Sequence, residues 1–266
     1  MKLLTIQDMA CYGKCSGSIA MPVLSAMGIE TTLLPTSVLS THSAFKGFTF
    51  RDLLPEMEAI LDHWISLDLQ FDAIYIGYLG SEPQLEFVHC LISHFPNAMI
   101  MLDPVMGDNG KLYSSYSPVL AEKMVSLVPF ADILTPNLTE ACILTKTEYN
   151  PNITKAELEK ICTSLSEMGP EKIIISGLER QGDLENFIFE KGKLPVIIRE
   201  HKVGSCRSGT GDVFSSIITA DMVNGKSLTD SVRHASAFIA KVLRRALELQ
   251  LPLTDGICFE EFLTEI

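Results

Sequence analysis

No apolar run in the 266-residue chain approaches the roughly 18 residues that span a bilayer. The stretch MKLLTIQDMA meets Asp8 too early for a secretory hydrophobic region, so a cytoplasmic protein is expected. Basic residues are scarce, 21 against 33 acidic ones, and the net charge of −12 argues against nucleic acid or an anionic membrane as partner. An anionic small molecule is still allowed, because a local site can oppose the global sign. CxxC pairs are absent. The seven cysteines are odd in number and scattered, with Cys11 and Cys15 spaced C-x3-C and no second pair to match. That pattern indicates neither a zinc site nor a disulfide framework, and buried free thiols in a reducing compartment are expected. No P-loop exists. NGKS at Asn224–Ser227 has Ala220 where the first glycine is required, YGKCS at Tyr12–Ser16 has Asp8 there, and no GxGxxG follows the first strand. Neither a linker nor a repeat is visible, so residues 1–266 read as one domain.

What is present is an alternation. KLLTI, ETTLLPT, DAIYIGYL, AMIMLDPV, ADIL and KIIIS read as strands. Between them lie helical periods, such as Leu53, Leu54, Met57, Ile60, Leu61, Trp64 and Ile65 on one face of residues 51–67. Gly28 is placed to end the first helix, Ser117-Pro118 to open another, and Asn137/Glu140 and Thr154/Glu157 resemble capping boxes. NFIFEKGKLPVII, residues 186–198, reads as a hairpin around Gly192. Continuous apolar strands between amphipathic helices specify an α/β, doubly wound, mostly parallel sheet covered on both faces, with one local antiparallel hairpin. Ligands of such sheets bind outside the carboxyl ends of the strands. Those ends carry Asp8, Tyr78, Asp103, Thr135-Pro136-Asn137 and Ser176, a polar set for segments leaving an apolar core.

One turn carries the most chemistry. In RSGTGDVFSS, Gly209, Thr210 and Gly211 stand directly before a helical pattern, and Asp212 falls in its first turn. Glycines let backbone N–H groups approach an oxyanion, and the helix adds its positive end. Asp212 suits this place if it faces an incoming hydroxyl across a transferred phosphorus, because a loose phosphoryl-transfer transition state needs only a weak base. The bland alternative is a glycine turn with Thr210 or Asp212 as helix cap. In LDPVMGDNG, Asp103 and Asp108 suit a magnesium ion held mainly through water, or are ordinary turn residues. In TPNLTEA, Asn137 and Glu140 either reach that ion's hydration shell or only cap a helix.

SGTGDVF, DPVMGD, TPNLTEA and IGYLGS, in this order and spacing, resemble the vitamin kinases of the ribokinase superfamily, and the pyridoxal kinase family in particular. TIQDMACYGKCSGS and SVLSTHSAF are similar to that family's opening strand with its glycine loop and to its substrate-side segment, so nearly the whole chain is covered. The resemblance implies a ribokinase-like fold, a homodimer, and transfer of the γ-phosphoryl of ATP to the 5′-hydroxymethyl of pyridoxal, pyridoxine or pyridoxamine. It implies Asp212 as catalytic base and Gly209, Thr210 and Gly211 as anion hole. Asp103, Asn137 and Glu140 would lie around Mg2+ and the phosphates, with Asp103 and Glu140 nearest the metal. Thr135 and Ser176 would line the nucleotide, and Asp8, Ser43 and Tyr78 the vitamin ring. A requirement for a monovalent cation is left open.

The chain departs from that pattern in two places. Serine is usual where Asp8 stands, and a carboxylate there could pair with a ring N–H or a substrate amine, favouring pyridoxamine. Threonine is common where Ser43 stands. Lys14, in the glycine loop, reads equally as a phosphate contact and as a solvated lysine. Hydroxymethylpyrimidine kinases are the nearest rivals. They often carry an acid near position 8 but usually a cysteine where this chain has Asp212. A nicotinamide-hydrate dehydratase shares the glycine turn, though histidine typically stands where Asn137 does, and a non-catalytic vitamin-binding protein is the remaining alternative.

Overall fold

A computed structural model of the chain describes residues 1–266. Its strands are β1 (Lys2–Ala10), β2 (Glu30–Leu39), β3 (Phe50–Asp52), β4 (Ala73–Ile76), β5 (Met99–Leu102), β6 (Gly107–Asp108), β7 (Lys111–Leu112), β8 (Ile133–Leu134), β9 (Lys172–Arg180), β10 (Asp183–Glu190) and β11 (Val196–His201). Its helices are α1 (Gly17–Ala26), α2 (Leu54–Ser66), α3 (Glu82–His94), α4 (Pro118–Met124), α5 (Leu138–Thr145), α6 (Lys155–Met168), α7 (Thr210–Val223) and α8 (Leu228–Glu248), with short 3-10 turns after α4 and beyond α8. Nine strands form one sheet in the order β11-β10-β9-β8-β5-β4-β1-β2-β3, and β6 pairs only with β7. The six strands from β9 to β2 run parallel, while β10, β11 and β3 are antiparallel to their neighbours.

Parallel strands can lie together here because both faces are covered. Leu4, Ile6, Ile74, Ile76 and Leu102 enter one apolar cluster with residues of α2 to α6. Leu3, Tyr75, Met101 and Ile174 enter a second with α1, α7 and α8. That two-sided burial is why these strands read as unbroken apolar runs. The helix boundaries follow local chemistry. Asn137 and Thr154 each accept the N–H of the glutamate three residues on, and each glutamate returns a carboxylate to the cap residue's N–H. The hydroxyl of Ser117 caps α4, with Pro118 as its first residue, and Ser227 caps α8.

The structure differs from the sequence expectation in its edges. β1 does not stop before Asp8 but runs to Ala10, with a register shift against β2 between Gln7 and Met9. Asp8 thus sits at an irregular point inside a strand. β9 does not end at Ser176 either. It continues to Arg180 and turns through Gln181 and Gly182, both at positive φ (50° and 93°), into β10. The antiparallel edge is therefore a three-stranded meander, of which the expected hairpin, β10–β11, is the outer half. Glutamine at 181 concealed the first turn, since Asn and Gly are the usual signals for that conformation. β3, β6 and β7 are two or three residues long, too short for any periodicity to show.

Candidate active site

The chain leaves β1 through α1 to β2 on one side, then returns to β4 on the other. A crevice must therefore open over the carboxyl ends of β1 and β4, where the connections diverge. Asp8 comes from the β1 side of this switch and Tyr78 from just beyond β4. Asp103 follows β5, Thr135 follows β8, and Ser176 lies in β9, bridged to Asn137 in parallel register. The first turn of α7 caps the opening.

Gly209 precedes α7 at φ 88°, a conformation glycine adopts without penalty. A Cβ there would strike Ile19 Cδ1 and lie 2.9 Å from the Lys14 carbonyl, so only glycine lets this turn pack against α1 and the loop after β1. Thr210 is turned inward. Its hydroxyl donates to the Arg207 carbonyl at 3.0 Å and its N–H points to the same oxygen at 3.4 Å. The N–H groups of Gly211 and Asp212 donate to no backbone carbonyl, and that of Asp212 is directed at its own carboxylate. Gly211 is exposed, and a Cβ built on it meets nothing within 4 Å. Amides without a backbone partner at a helix start, that of Gly211 facing open space, form the anion-binding geometry.

Four carboxylates form a row beneath these amides. Asp8 is close enough to raise the proton affinity of Asp212, Asp212 that of Asp103, and Asp103 that of Glu140. Burial is the larger cause at each position. It lifts Asp212 to about 6, partly offset by the Ser16 N–H directed at its carboxylate. It lifts Asp103 to about 7 against hydrogen bonding from Ser215 and Tyr75, whose hydroxyl donates at 3.4 Å. Glu140 is raised as well, although its oxygens accept N–H bonds from Met106 (3.0 Å) and Asn137 (2.8 Å). None of the four forms an ion pair with a lysine or arginine; the nearby cation Lys14 is bound to Glu260 at 2.8 Å. Buried acids such as Asp103 and Glu140, side by side without a lysine or arginine partner, favour a cation beside them.

On the other side of Asp212, Asp8 is 5% exposed and has no lysine or arginine partner, and His42 stands near it. His42 Nδ1 accepts from Ala44 N–H at 3.3 Å, which places the ring proton on Nε2, 2.9 Å from the Thr254 carbonyl. The ring lies against Gly13, where a Cβ would overlap it. Tyr78 is buried with its hydroxyl unpartnered and its ring edge-on to Tyr116. Ser43 is half-buried in the loop after β2.

Several sequence candidates are placed differently from one another. Asn137 spends both side-chain atoms on structure, accepting from Glu140 N–H and donating to the Gly107 carbonyl at 2.7 Å. Asp108 does not join the row. It lies on the β6–β7 hairpin, takes its neighbour Asn109's N–H and side-chain amide, and stands near Tyr113 and Cys206. Lys14 contributes its backbone to the site and turns its side chain to Glu260 and the Phe259 ring. Sequence reading passed over Tyr75, Ser215 and Ser16. A tyrosine inside AIYI was the one available signal for the first. Ser215 is masked by the helical period, and Ser16 shows itself by its backbone, held at φ 49° and ψ −126° beside Asp212, and by a side chain that hydrogen-bonds Asp8. Strain of that kind in a non-glycine residue tends to gather at functional sites. A cavity of about 660 Å³ opens at the amino ends of the strands, between Asp72, Phe95, Asp132 and Lys172, away from all of these groups.

The phosphomethylpyrimidine kinase family model matches residues 30–253. The chain belongs to the pyridoxal and phosphomethylpyrimidine kinase family of the ribokinase superfamily. Its fold is shared with a Bacteroides thetaiotaomicron protein described as a phosphomethylpyrimidine kinase and solved with pyridoxal. That protein is 34% identical, with a TM-score of 0.96 over 99% of this chain and 94% of the other. Pyridoxal kinase from Lactobacillus plantarum is 25% identical, with a TM-score of 0.92 over 99% and 95%. Among curated relatives, pyridoxal kinase PdxY of Granulibacter bethesdensis is 25% identical over 99% of this chain and 96% of its own length. As a member of this family the chain is an ATP-using kinase.

Proposed function

We propose that this kinase transfers the γ-phosphoryl group of ATP to the 5′-hydroxymethyl of a B6 vitamer. The observation that carries the reading is Asp212. It stands directly after the exposed Gly211 amide and between a nucleotide-side acid, Asp103, and a ring-side acid, Asp8. In the step, the vitamer's O5′ bonds to the γ-phosphorus, the bond from that phosphorus to the β–γ bridging oxygen breaks, and the hydroxyl proton passes to Asp212. The amides of Gly211 and Asp212 hold the phosphate oxygens as charge develops on them. Thr135, hydrogen-bonded to Ser215 at 3.2 Å, and Ser176 line the nucleotide side. Ser43 and Tyr78 line the ring side.

The acid row fits a divalent cation of the kind nucleotide phosphates bring, and Mg2+ is the ion proposed. Asp103 and Glu140 would hold it, chiefly through water, since each Glu140 oxygen already accepts one N–H. When bound, it neutralises charge on the phosphates. Pyridoxal bound to the Bacteroides relative and the presence of aspartate at 212 favour a B6 vitamer. Phosphorylation of hydroxymethylpyrimidine is the second reading, supported by the family description and by the acid at position 8.

Asp8 is the selecting group. A buried carboxylate without a cation is best matched by a substrate that supplies one, a pyridinium N–H or the amine of pyridoxamine. The test is ADP release from ATP and Mg2+ with pyridoxal, pyridoxine, pyridoxamine and hydroxymethylpyrimidine. The highest kcat/KM is expected for a B6 vitamer, with pyridoxamine losing most in Asp8→Ser. Turnover confined to hydroxymethylpyrimidine would overturn the vitamer assignment. Equal kcat/KM for the three vitamers, unchanged in Asp8→Ser, would remove the role of Asp8.

A further inference from the structure

The site described above has to hold a polyanion, yet its visible side chains are acids. Six charged side chains are buried in this chain: Asp8, Asp103, Glu140, Glu185, Asp221 and Arg207. Arg207 alone among them is basic. It lies two residues before Gly209, is 6% exposed, and meets no carboxylate. Its guanidinium donates instead to three carbonyls of the carboxyl-terminal segment: Nη1 to Pro252 (2.8 Å) and Gly256 (3.3 Å), Nη2 to Leu251 (2.8 Å). Its own carbonyl receives the Thr210 hydroxyl and N–H. A burial so costly for a permanent cation, answered only by neutral dipoles, leaves its charge unneutralised next to the phosphate amides.

The same carboxyl-terminal segment touches the rest of the crevice. Thr254 takes the Nε2–H of His42 from the ring side. Gly256 packs so closely that a Cβ there would lie 2.9 Å from the Ser208 carbonyl and 3.2 Å from Lys14 Cβ. Ile257 and Phe259 are buried in the core beside α7 and α8. The turn bearing the Gly211 and Asp212 amides is therefore fixed through Arg207 to a segment that also fixes the ring-side loop.

We propose that Arg207 is the positioning residue of the anion-binding turn. Its fork of hydrogen bonds holds the Gly211 and Asp212 amides at the mouth of α7. Its charge, left without a carboxylate partner, adds a positive field at the base of the turn whose amides receive the nucleotide phosphates. The inference rests on the phosphotransferase reading for the identity of the anion, not on the choice of vitamer.

The experiment compares Arg207→Lys and Arg207→Met with the wild-type enzyme. It measures the thermal shift produced by ADP with Mg2+, and KM for ATP and for the vitamer separately. Lysine keeps the charge and loses the fork, whereas methionine loses both. ATP KM is expected to rise about tenfold in Arg207→Lys and roughly a hundredfold in Arg207→Met, with vitamer KM within about twofold of wild type. The ADP-induced shift should shrink in the same order. Folded variants with ATP KM and ADP shift unchanged would overturn the proposal, as would a loss in which ATP and vitamer KM rise by the same factor. Should Arg207→Met not fold, Arg207→Lys decides by the same criteria. A wild-type enzyme that phosphorylates no vitamer would sink the functional reading alone, because the ADP shifts still decide the role of Arg207.

Discussion

Replacing Asp212 with asparagine should make the protein more stable and nearly inactive at once. Burial and the neighbouring Asp8 raise the Asp212 carboxyl from 3.8 to about 6 in the folded chain. Between these values the folded protein holds a proton that the unfolded chain has released, so stability falls as pH rises through this window. Above about pH 6 the full penalty is present. At about 1.4 kcal/mol per pH unit the gap corresponds to at most about 3 kcal/mol, reduced by whatever water reaches the crevice. Asparagine keeps the size and can still accept the Ser16 N–H, but it never ionises. Its melting temperature at pH 7.5 should exceed that of the wild type by several degrees, at roughly 2–4 °C per kcal/mol for a chain of this size. The two melting curves should converge near pH 4, where both carry a neutral side chain. Loss of the proton acceptor should lower kcat by about a hundredfold to ten-thousandfold with little change in ATP KM. Wild-type kcat/KM should fall as pH drops through about 6, as Asp212 becomes protonated in the free enzyme. A variant no more stable than wild type at pH 7.5, or one that keeps its kcat, would refute the reasoning.

The two glycines of the turn should separate structure from chemistry. Gly211→Ala enters open space on a helix and should leave the melting temperature unchanged or slightly raised, while its methyl crowds the phosphate and raises ATP KM about tenfold. Gly209→Ala meets Ile19 and Lys14 at positive φ and should lose about 1–3 kcal/mol by denaturant titration. Equal behaviour of the two would mean the amides do not face the nucleotide. Asp103→Asn removes one acid from the row and should raise the Mg2+ concentration for half-maximal rate about tenfold, leaving vitamer KM in place. A Mg2+ titration that superimposes on that of the wild type would remove Asp103 from the cation site.

The layers of this protein were fixed by patterns that act over a few residues. Apolar runs such as AIYI and IIIS can satisfy their side chains only inside a covered parallel sheet, and the glutamates three residues after Asn137 and Thr154 close their caps locally. The GTGD turn was legible for the same reason, because glycines before a helical period expose amides whatever surrounds them. Tertiary structure alone decided which groups meet. Asp8 reaches Asp212 only because β1 runs on past a register shift to Ala10 and α7 docks over its end. Tyr75 reads as a core residue until packing brings its hydroxyl to Asp103, and Arg207 reads as a loop cation until the segment from Leu251 to Gly256 closes over it. Local sequence specifies backbone conformation and the face a side chain takes. The proton affinity of a carboxylate, and whether a cation is neutralised, depend on burial and on charges brought in from distant parts of the chain.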